Sequence, residues 1–453
     1  MSETAPKWHF LMDLLIPHPT TTQLLLLQDG AYWRLPRLES ADTSRPLLYK
    51  INDEVRQKLG IEVTNLRLVA EQTDKATHQI RQIYLQENHS LHEEPPVDGR
   101  WVGAIDLDTL TFSLPEQRAI IEQWLIETAS GKVSSLRAAW MRPGWHAEAT
   151  AWIQTTLEQL GYHLSGPIQE IKNWVISRVL RAPTDQGDFY FKVSGGSPLF
   201  VNEARVIQGL AQCFPDRIPA PRAIDAARNW MLLADFGSEI GWQAPLTVRE
   251  AVLTAFGRLQ IDATQQIDEL FAIGCLDRRL DKLAEQIDPL VNDATMLAYM
   301  SKTDGVRLQA LAPRLKMMCA TLASYKVPQT LVHGDMHMSN VARPHLTAEG
   351  DGFVFFDWTD ACITHPFLDM IDILHEEDIA VQTRLRDSYL GQWTAYEPME
   401  RLLEMWGLAA PLCALHQAVS YQHIIANTEP AAKHEMAWAM PTWFGKILAS
   451  VQG

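Results

Sequence analysis

The chain has 453 residues, of which 47% are apolar and 21% are charged, and this balance excludes the disordered and fibrous classes of protein. At roughly 150 residues per domain, the length predicts about three folding units. Because 39 Lys and Arg face 55 Asp and Glu, the net charge is −16, which argues against nonspecific binding to nucleic acids or anionic membranes and permits a cationic small-molecule substrate.

The expected compartment is the cytoplasm. We find no stretch of about 18 uncharged apolar residues of the kind that predicts a membrane-spanning helix. The apolar stretch near the N-terminus is interrupted by Asp13, which is unlike a signal peptide. Five cysteines lie tens of residues apart with no CxxC pair, and this pattern predicts reduced thiols instead of a disulfide framework or a zinc site.

The N-terminal region, residues 20–113, has the pattern of an α+β domain. A hairpin is predicted from Thr22–Gln28 and Tyr32–Leu35. A helix over Leu47–Leu59 is predicted to end at Gly60, because glycine is common just after a helix end. The other elements predicted here are strands at Leu66–Gln72, Gln79–Gln86 and Val102–Ile105 and a helix over Leu114–Thr128.

Breaks in composition near residues 129–140 and 235 separate two further regions. Nearly all of the chain after Leu246 has the pattern of helices, except for residues 330–358. The elements predicted before residue 235 are a helix over Gly144–Leu160, antiparallel strands within Ile168–Ala182 and at Phe189–Val193, a helix over Phe200–Cys213 and a strand at Trp230–Ala234.

The non-helical segment contains two short motifs, LVHGDMHMSN at residues 331–340 and FVFFDWTD at residues 353–360. The apolar run Phe353–Phe356 predicts a buried strand, and residues 344–352 have the composition of a hairpin connection. In such a hairpin Asn340 and Asp357 lie at the same open end. Asp335 is five residues before Asn340, on a tight loop that a glycine at position 334 permits.

Two carboxylates and one carboxamide therefore converge in this prediction. Oxygen ligands of this kind suit Mg²⁺, and one carboxylate stays available as a base. Phosphoryl transfer from ATP needs both parts, because the metal neutralises the triphosphate and the base positions the acceptor hydroxyl. Individually, a turn-capping aspartate, a loop asparagine and an aspartate at a strand end are common structural features. Their joint spacing favours a functional site.

The order HGDxxxxN, then DW 17 residues later, then His365-Pro-Phe-Leu-Asp369, resembles the catalytic core of the aminoglycoside-phosphotransferase and choline-kinase-like branch of the protein-kinase fold. The resemblance implies that Asp335 is the catalytic base and that Asn340 and Asp357 are the metal ligands. It also implies that His333 and Asp369 support the loop. We expect His337 and His365 to pack in the loop, since neither lies at the spacing of a zinc site.

A nucleotide site of this type needs a lysine on a strand and a glutamate on the following helix. Lys192, in the strand Asp188–Val193, supplies the first. Glu203 lies on the apolar stripe of the next helix, and a buried carboxylate needs a cationic partner, so we expect it to pair with Lys192. The alternative is that Glu203 lies at the edge of the stripe and is solvated.

The phosphate-covering loop of this family would join the strands around Asn173 and Ser177, although no glycine is present there. These two side chains are therefore candidate phosphate contacts. Asp235-Phe236-Gly237 has the letters of the kinase metal motif but precedes the catalytic loop by about 100 residues. It resembles the hinge that meets the adenine, whereas Asp357 is the counterpart of the metal-binding aspartate.

The region before the kinase-like part is similar to a Nudix hydrolase, whose box is GX5EX7REUXEEXGU. Aligned on Gly60, the chain keeps Glu54 but has Asp53 in place of the arginine. Gln57 and Lys58 replace two metal-binding glutamates, so a cation site cannot form. We expect a Nudix-like scaffold without pyrophosphohydrolase activity, with an unrelated small α+β domain as the alternative.

The predicted fold is α+β: a Nudix-like domain over residues 1–135, a β-rich kinase N-lobe with a leading helix over 136–235, and a helical C-lobe over 236–453 that carries the catalytic segment 331–360. The predicted function is transfer of the γ-phosphate of ATP, with Mg²⁺, to a hydroxyl or amine of a small molecule, such as an aminoglycoside, amino sugar or sugar. The alternative is a nucleotide-sensing regulatory protein.

Two features bear on the acceptor but leave alternatives open. The first is an acidic run that either favours a cationic acceptor or is a solvated helix face, formed by Asp369, Asp372, Glu376, Glu377 and Asp378. The second is a set of tryptophans that either stack on a sugar or pack in the core, namely Trp393, Trp406, Trp438 and Trp443.

Overall fold

The computed structural model describes residues 7–42, 46–90, 94–345 and 352–451. Most of the predicted hairpin connection 344–352 therefore lies outside the described residues. The chain divides into two compact units. Unit 1 comprises Met1–Lys192 with Thr428–Glu435, and unit 2 comprises Val193–Asn427 with Met436–Gly453.

Unit 1 begins with a mixed α+β region. Its elements are β1 (Trp8–Leu15), β2 (Leu24–Asp29), β3 (Tyr32–Arg34), β4 (Arg37–Asp42), α1 (Leu48–Leu59), β5 (Val63–Asp74), β6 (Gln79–Asn88), β7 (Gly99–Val102) and α2 (Pro115–Ser130). One sheet has the order β4-β1-β6-β5, in which β1 and β6 are parallel, and a second sheet has the order β3-β2-β7. The larger sheet is apolar on both faces: Tyr84 of β6 shares a core with Val55 of α1, and its neighbours Ile83 and Leu85 share a core with Ile121 of α2.

The predicted hairpin and helix of this region are confirmed, and α1 ends at Gly60, whose φ of 68° is left-handed. Strands β1 and β4 were not predicted. Asp13 interrupts the apolar run of β1 in the sequence, yet its side chain is buried and its Oδ1 accepts a hydrogen bond from Nε of Arg37 at 2.8 Å. The strand predicted at Val102–Ile105 is wrong in position, because β7 ends at the residue where the predicted strand begins.

The rest of unit 1 follows the predicted pattern. Its elements are α3 (Trp145–Gln159), β8 (Gln169–Asn173), β9 (Ser177–Thr184) and β10 (Gly187–Ser194). Strands β8 and β9 pair antiparallel. The division between the two units falls inside β10, directly after Lys192.

Unit 2 is mainly helical, as predicted. Its helices are α4 (Glu203–Cys213), α5 (Leu246–Ala263), α6 (Ile267–Ile273), α7 (Leu280–Val291), α8 (Ala294–Leu297), α9 (Lys302–Leu322), α10 (Ile371–His375), α11 (Ile379–Leu390), α12 (Met399–Ala426) and α13 (Ala439–Ser450). Its strands are β11 (Ala223–Asp225), β12 (Trp230–Ala234), β13 (Ser238–Glu239), β14 (Leu276–Asp277), β15 (Thr330–Val332), β16 (Val341–Arg343), β17 (Val354–Phe355) and β18 (Cys362–Thr364).

Two small sheets frame the segment that carries both motifs. One has the order β13-β16-β17 and the other has the order β14-β18-β15. The predicted hairpin is present, since Val341 of β16 pairs antiparallel with Phe355 of β17. The HGD loop follows β15, and the DW motif follows β17 of the hairpin. Both motifs lie within unit 2.

Helix α12 corrects one expectation from the sequence. It is long and apolar enough to cross a membrane by length and composition, although no such stretch was expected. Of its most apolar window, 67% is buried inside the protein, which is typical of a core helix. All five cysteines of the chain are free thiols.

A buried ion-pair network ties the segment Thr428–Glu435 into unit 1. The Glu429 carboxylate accepts hydrogen bonds from Nε of Arg137, the nearer at 2.9 Å, and lies 3.7 Å from Nη1 of Arg67. Glu127 pairs with the same two arginines. Side-chain exposure is 9% or less for Arg67, Arg137 and Glu429, so removing one carboxylate leaves buried positive charge uncompensated.

We predict that Glu429→Gln lowers the free energy of unfolding by about 3 kcal/mol, the usual cost of removing one partner from a buried ion pair. Urea denaturation of the full chain measures this loss. Glu122→Gln is the matched control, because Glu122 pairs with Arg118 at an exposed site where the loss should stay below about 1 kcal/mol. Equal losses of unfolding free energy in the two variants would contradict the argument that burial makes the ion pairs of Glu429 costly to break.

Candidate active site

The hairpin places two of the predicted residues next to each other. Asn340 directly precedes β16, and Asp357 follows β17 by two residues. The backbone N–H of Phe356 donates to the backbone oxygen of Asn340 at 3.0 Å. Asn340 and Asp357 therefore lie at the same open end of the hairpin.

Asp335 joins them through Asn340. The Asn340 Nδ2 atom donates to the backbone oxygen of Asp335 at 2.8 Å and lies 3.4 Å from its Oδ2 atom. Because an amide is planar, this orientation turns Oδ1 of Asn340 away from Asp335. The negative charge of Asp357 acts to raise the pKa of Asp335, so the two carboxylates interact electrostatically. The structure thus brings Asp335, Asn340 and Asp357 together.

Asp357 has an unusual backbone. Its φ is 66°, in the left-handed region that non-glycine residues seldom adopt. Its Oδ1 atom accepts a hydrogen bond from Oγ1 of Thr359 at 3.0 Å. Holding a side chain in this region costs of order 1 kcal/mol or more, and such residues cluster at functional sites. The surrounding strands therefore fix Asp357 in a conformation that it would not adopt alone.

One buried carboxylate, that of Asp369, holds the backbone of the HGD loop. Asp369 accepts hydrogen bonds from the backbone N–H groups of His333 at 2.6 Å and Gly334 at 2.9 Å. Burial raises the pKa of Asp369 to about 7, even though these two N–H donors act to lower it. On the other side, Nε2 of Gln417 donates to the backbone oxygen of Gly334 at 2.6 Å.

His333 links the loop to the hairpin. Burial lowers its pKa, so the ring is neutral at physiological pH. Its Nδ1 atom accepts from the backbone N–H of Asp335 at 3.3 Å, which makes Nε2 the protonated nitrogen that donates to the Phe356 oxygen at 2.8 Å. Its ring also packs against Trp358, with centroids 4.5 Å apart. His333 therefore connects the backbone at Asp335 with the backbone just before Asp357.

Asp335 is both accessible and ionised. Its side chain is 45% exposed. Burial of part of the group acts to raise its pKa, but the hydrogen bond and charge of His337 outweigh this effect and the pKa of Asp335 is lowered. Nε2 of His337 lies 3.6 Å from Oδ2 of Asp335. Conversely, burial acts to lower the pKa of His337, but Asp335 raises it overall.

The two histidines expected to pack in the loop differ in environment. His365 is fully buried, and its Nδ1 atom accepts from the backbone N–H of Phe367 at 3.3 Å. His337 instead contacts Asp335 and Asn340. No spacing rule in the sequence indicates that contact, because it depends on how the short turn after Asp335 folds back.

The predicted nucleotide-binding residues lie in different places. Glu203 begins α4 and is 1% exposed, as the stripe predicts, and Oγ of Ser194 donates a hydrogen bond to it. Lys192 is buried on β10. In unit 1, Nδ2 of Asn173 donates to the backbone oxygens of Asn65 and Leu66 at 3.1 and 3.0 Å.

Ser177 begins β9 and is also buried. In unit 2, the phenyl ring of Phe236 packs on Phe356, with ring centroids 5.2 Å apart. Oδ1 of Asp235 accepts from the backbone N–H of Gly237 and lies 3.1 Å from Nε2 of His345. The segment at 235–237 therefore lies beside the hairpin that carries Asp357.

Two features expected to bear on the acceptor are mostly structural. Asp372 is buried and pairs with Arg249 at 2.9 Å. Glu376 pairs with the same arginine at 2.6 Å. These two carboxylates of the acidic run are therefore engaged by one arginine within unit 2. Trp393 and Trp443 are buried in the core, whereas Trp438 is 46% exposed.

Two residues near the site were missed in the sequence. Asp360 lies against the loop, and burial together with the charge of Asp335 raises its pKa well above the ordinary value. Trp242 is 48% exposed, and its indole stacks on the His337 ring. Asp360 follows the DW motif closely enough to have been noticed, but no local pattern marks Trp242.

We predict that Gly334→Ala destabilises the protein by at least about 2 kcal/mol. Gly334 has φ of 85°, and an added Cβ would lie 2.5 Å from Cβ and 2.6 Å from the backbone oxygen of Asp360. Gly407→Ala is the control, since nothing lies within 4 Å of that position in helix α12. Thermal unfolding should show a lower midpoint for the first variant and an equal or higher one for the second; similar midpoints would contradict the steric argument.

Comparisons with known proteins show the family to which the chain belongs. The profile of the phosphotransferase enzyme family, APH, matches residues 168–403, which is more than half of the chain. No curated protein matched the chain. Among solved structures, the GDP complex of a mutant aminoglycoside 2′-phosphotransferase-IIIa has a TM-score of 0.50 and 13% identity, over 66% of this chain and 96% of that chain.

Two further structures are similar at lower scores. A choline/ethanolamine kinase family protein from Mesorhizobium loti has a TM-score of 0.44 and 15% identity, over 67% of this chain and 99% of its own. A macrolide 2′-phosphotransferase type I has a TM-score of 0.41 and 17% identity, over 62% of this chain and 96% of its own. With its family match and its kinase-like fold, the chain belongs to the phosphotransferase enzyme family that the HGD and DW motifs indicated, and it is a small-molecule kinase.

Proposed function

We propose that the protein transfers the γ-phosphate of ATP, in the presence of Mg²⁺, to a hydroxyl or an amine of a small acceptor molecule. The observation that carries this proposal is the juxtaposition of Asp335, Asn340 and Asp357, with Asp335 ionised and partly exposed. Sugars, amino sugars and aminoglycosides are the acceptors that we consider first.

Asp335 is the proposed catalytic base. A carboxylate whose pKa is lowered stays ionised at neutral pH, so it can orient an acceptor hydroxyl and take its proton as the oxygen attacks the γ-phosphorus. His333 and Asp369 hold the loop, which keeps the Asp335 carboxylate in one position. We therefore assign them positioning roles.

Asn340 and Asp357 are the proposed ligands of Mg²⁺. Their oxygens are hard donors of the kind that this ion prefers, and the contact of Nδ2 of Asn340 with Asp335 leaves its Oδ1 atom to face elsewhere. In the described part of the chain, no group of three or more His, Cys, Asp or Glu side chains could hold a metal ion. Two protein ligands suffice for Mg²⁺ when phosphate oxygens supply others, and the bound ion would neutralise charge on the triphosphate.

On the nucleotide side, we propose that Lys192 contacts the phosphates and that Glu203 holds it. Burial of both side chains supports this assignment, because buried charges need partners. Asp235 and Phe236 are proposed to contact the adenine region. Ser177 stays a candidate phosphate contact, whereas the hydrogen bonds of Asn173 within unit 1 favour a structural role for that side chain.

We infer that residues 1–135 form a Nudix-like scaffold without pyrophosphohydrolase activity, ahead of the kinase lobes at 136–235 and 236–453. The family match begins only at residue 168. On α1, Glu54 forms an ion pair with Lys58 and Asp53 pairs with Arg56 at 2.7 Å. These carboxylates are neutralised by basic neighbours on their own helix, which supports the absence of a cation site.

A cytoplasmic location, where ATP is abundant, fits the free thiols.

We predict that Asp335→Ala abolishes transfer, lowering kcat by about 10³-fold or more, because the acceptor loses its base. The measurement is phosphorylated product from ATP, Mg²⁺ and a panel of sugars, amino sugars, kanamycin, choline and ethanolamine. Asp262→Ala, at an exposed aspartate paired with Arg217, is the control and should retain activity. ATP binding by the wild type without any product would favour the alternative of a nucleotide-sensing protein.

We also predict that Asp357→Asn loses the Mg²⁺ dependence of ATP binding while staying folded. Replacing a carboxylate oxygen by an amide nitrogen removes a charged ligand of the metal. Calorimetric titration of ATP with and without Mg²⁺ measures this, with Asp262→Asn as the matched control. An unchanged effect of Mg²⁺ in Asp357→Asn would contradict the assignment of this residue as a metal ligand.

A further inference from the structure

Trp242 is a half-exposed tryptophan beside the proposed catalytic base. Its exposed fraction is 48%. Its indole ring stacks on the imidazole of His337, with centroids 4.6 Å apart and planes inclined by 25°. The ring of His375 lies 6.3 Å away at 84°. Trp242 follows the short strand β13 and belongs to unit 2, like the catalytic loop.

A single ring separates Trp242 from Asp335. Nε2 of His337 is 3.6 Å from Oδ2 of Asp335 and 3.3 Å from Nδ2 of Asn340. The imidazole edge is therefore held by the catalytic loop while its face is covered by the indole. The part of the indole that His337 does not cover stays in water, next to a carboxylate that is itself 45% exposed.

Unit 2 has a second half-exposed indole. Trp438 is 46% exposed, and its ring contacts that of Tyr421 with centroids 5.2 Å apart at 69°. Burial, followed by the negative charges of Asp335 and Asp360, raises the pKa of Tyr421 well above its ordinary value. Large aromatic surfaces left in water around a reactive group are typical of a ligand site.

We propose that Trp242 stacks on the acceptor, and that the acceptor is consequently a cyclic, hydroxyl-bearing molecule of the saccharide class and not an acyclic amino alcohol. This inference rests on the proposed function. A sugar ring carries C–H groups on its faces and hydroxyls at its edge. When one face lies on the indole, an edge hydroxyl is free to point towards Asp335.

The reaction that follows is balanced. The edge hydroxyl oxygen forms a bond to the γ-phosphorus of ATP, and the bond between that phosphorus and the bridging oxygen breaks. The hydroxyl proton passes to the carboxylate of Asp335, and ADP leaves with the bridging oxygen. Trp242 takes no part in this proton transfer, so it is a specificity-determining residue.

A purely structural role for Trp242 makes a different prediction. If the indole served only to hold His337, its removal would disturb Asp335 and lower kcat for every acceptor. If the indole binds the acceptor, its removal raises KM for ring-shaped acceptors while kcat changes little. The ratio of these two effects separates the two roles.

The experiment compares the wild type with Trp242→Ala, Trp242→Phe and Tyr32→Ala on kanamycin, D-glucosamine, ethanolamine and choline. Tyr32 is an equally exposed aromatic residue, at 48%, on β3 of unit 1, and it serves as the matched control. We expect Trp242→Ala to raise KM for kanamycin or D-glucosamine by about 10-fold or more, which corresponds to the loss of one favourable stacking contact, with kcat within about twofold. Trp242→Phe should restore most of the affinity, and Tyr32→Ala should behave as the wild type.

Binding of kanamycin and of D-glucosamine, followed by calorimetry without ATP, should weaken in parallel for Trp242→Ala. The inference is overturned if Trp242→Ala lowers kcat without raising KM, or if the wild type phosphorylates only ethanolamine or choline. In that last case the proposed function stands and only the acceptor class is wrong. If the wild type binds ATP but phosphorylates none of the four compounds and nothing in the wider panel of sugars and amino sugars, the proposed function fails and this inference fails with it.

Discussion

The geometry of the site depends on one buried carboxylate, Asp369, and the two backbone N–H groups that it binds. By accepting from His333 and Gly334, Asp369 forces the chain to turn directly after β15. The left-handed φ of Gly334 and the close approach of Asp360 leave no room for another residue type there. Because the backbone turns at this point, Asp335 leaves the loop towards the hairpin instead of continuing along the strand.

A carboxylate such as that of Asp369 is costly to bury, and its oxygens therefore need hydrogen-bond donors. Burial raises the pKa of Asp369 to about 7, and the backbone N–H donors act to lower it, so these hydrogen bonds offset part of the cost of burying its charge. The result is a rigid connection between Asp369, the HGD loop and, through Nε2 of His333, the backbone just before Asp357. Preorganisation of this kind would let the proposed base and the proposed metal ligands act without rearranging.

Much of the catalytic segment could be predicted, because its signals are local. The apolar run before Asp357, the turn-forming residues of the connection and the spacing from Asp335 to Asn340 determine a hairpin and its open end. The observed pairing of Val341 with Phe355 is what such a hairpin requires. The family resemblance, which rests on the same residues, is confirmed by the match over residues 168–403.

What could not be predicted depends on distant pairings. Strand β1 was missed because Asp13 interrupts its apolar pattern, and only the ion pair with Arg37, 24 residues away, makes that carboxylate tolerable inside a sheet. Trp242 is nearly 100 residues before His337, and the sequence shows no periodicity that relates them. Contacts between side chains on separate elements follow from packing, which a linear pattern does not encode.

The charges around the proposed base, Asp335, include a histidine that acts to lower its pKa. The charge of Asp357 acts to raise the pKa of Asp335, the charges of Asp335 and Asp357 act to raise that of Asp360, and the chain as a whole carries a net charge of −16. Burial in the first place, and the charge of Asp335 in the second, raise the pKa of Asp360 well above its ordinary value, although the charge of Arg278 acts to lower it. His337, whose own pKa is raised by Asp335, lowers the pKa of Asp335 in return and so favours its ionised form. The pKa values of two neighbouring carboxylates, Asp335 and Asp360, are therefore shifted in opposite directions, and shifted pKa values of this kind cluster at functional sites.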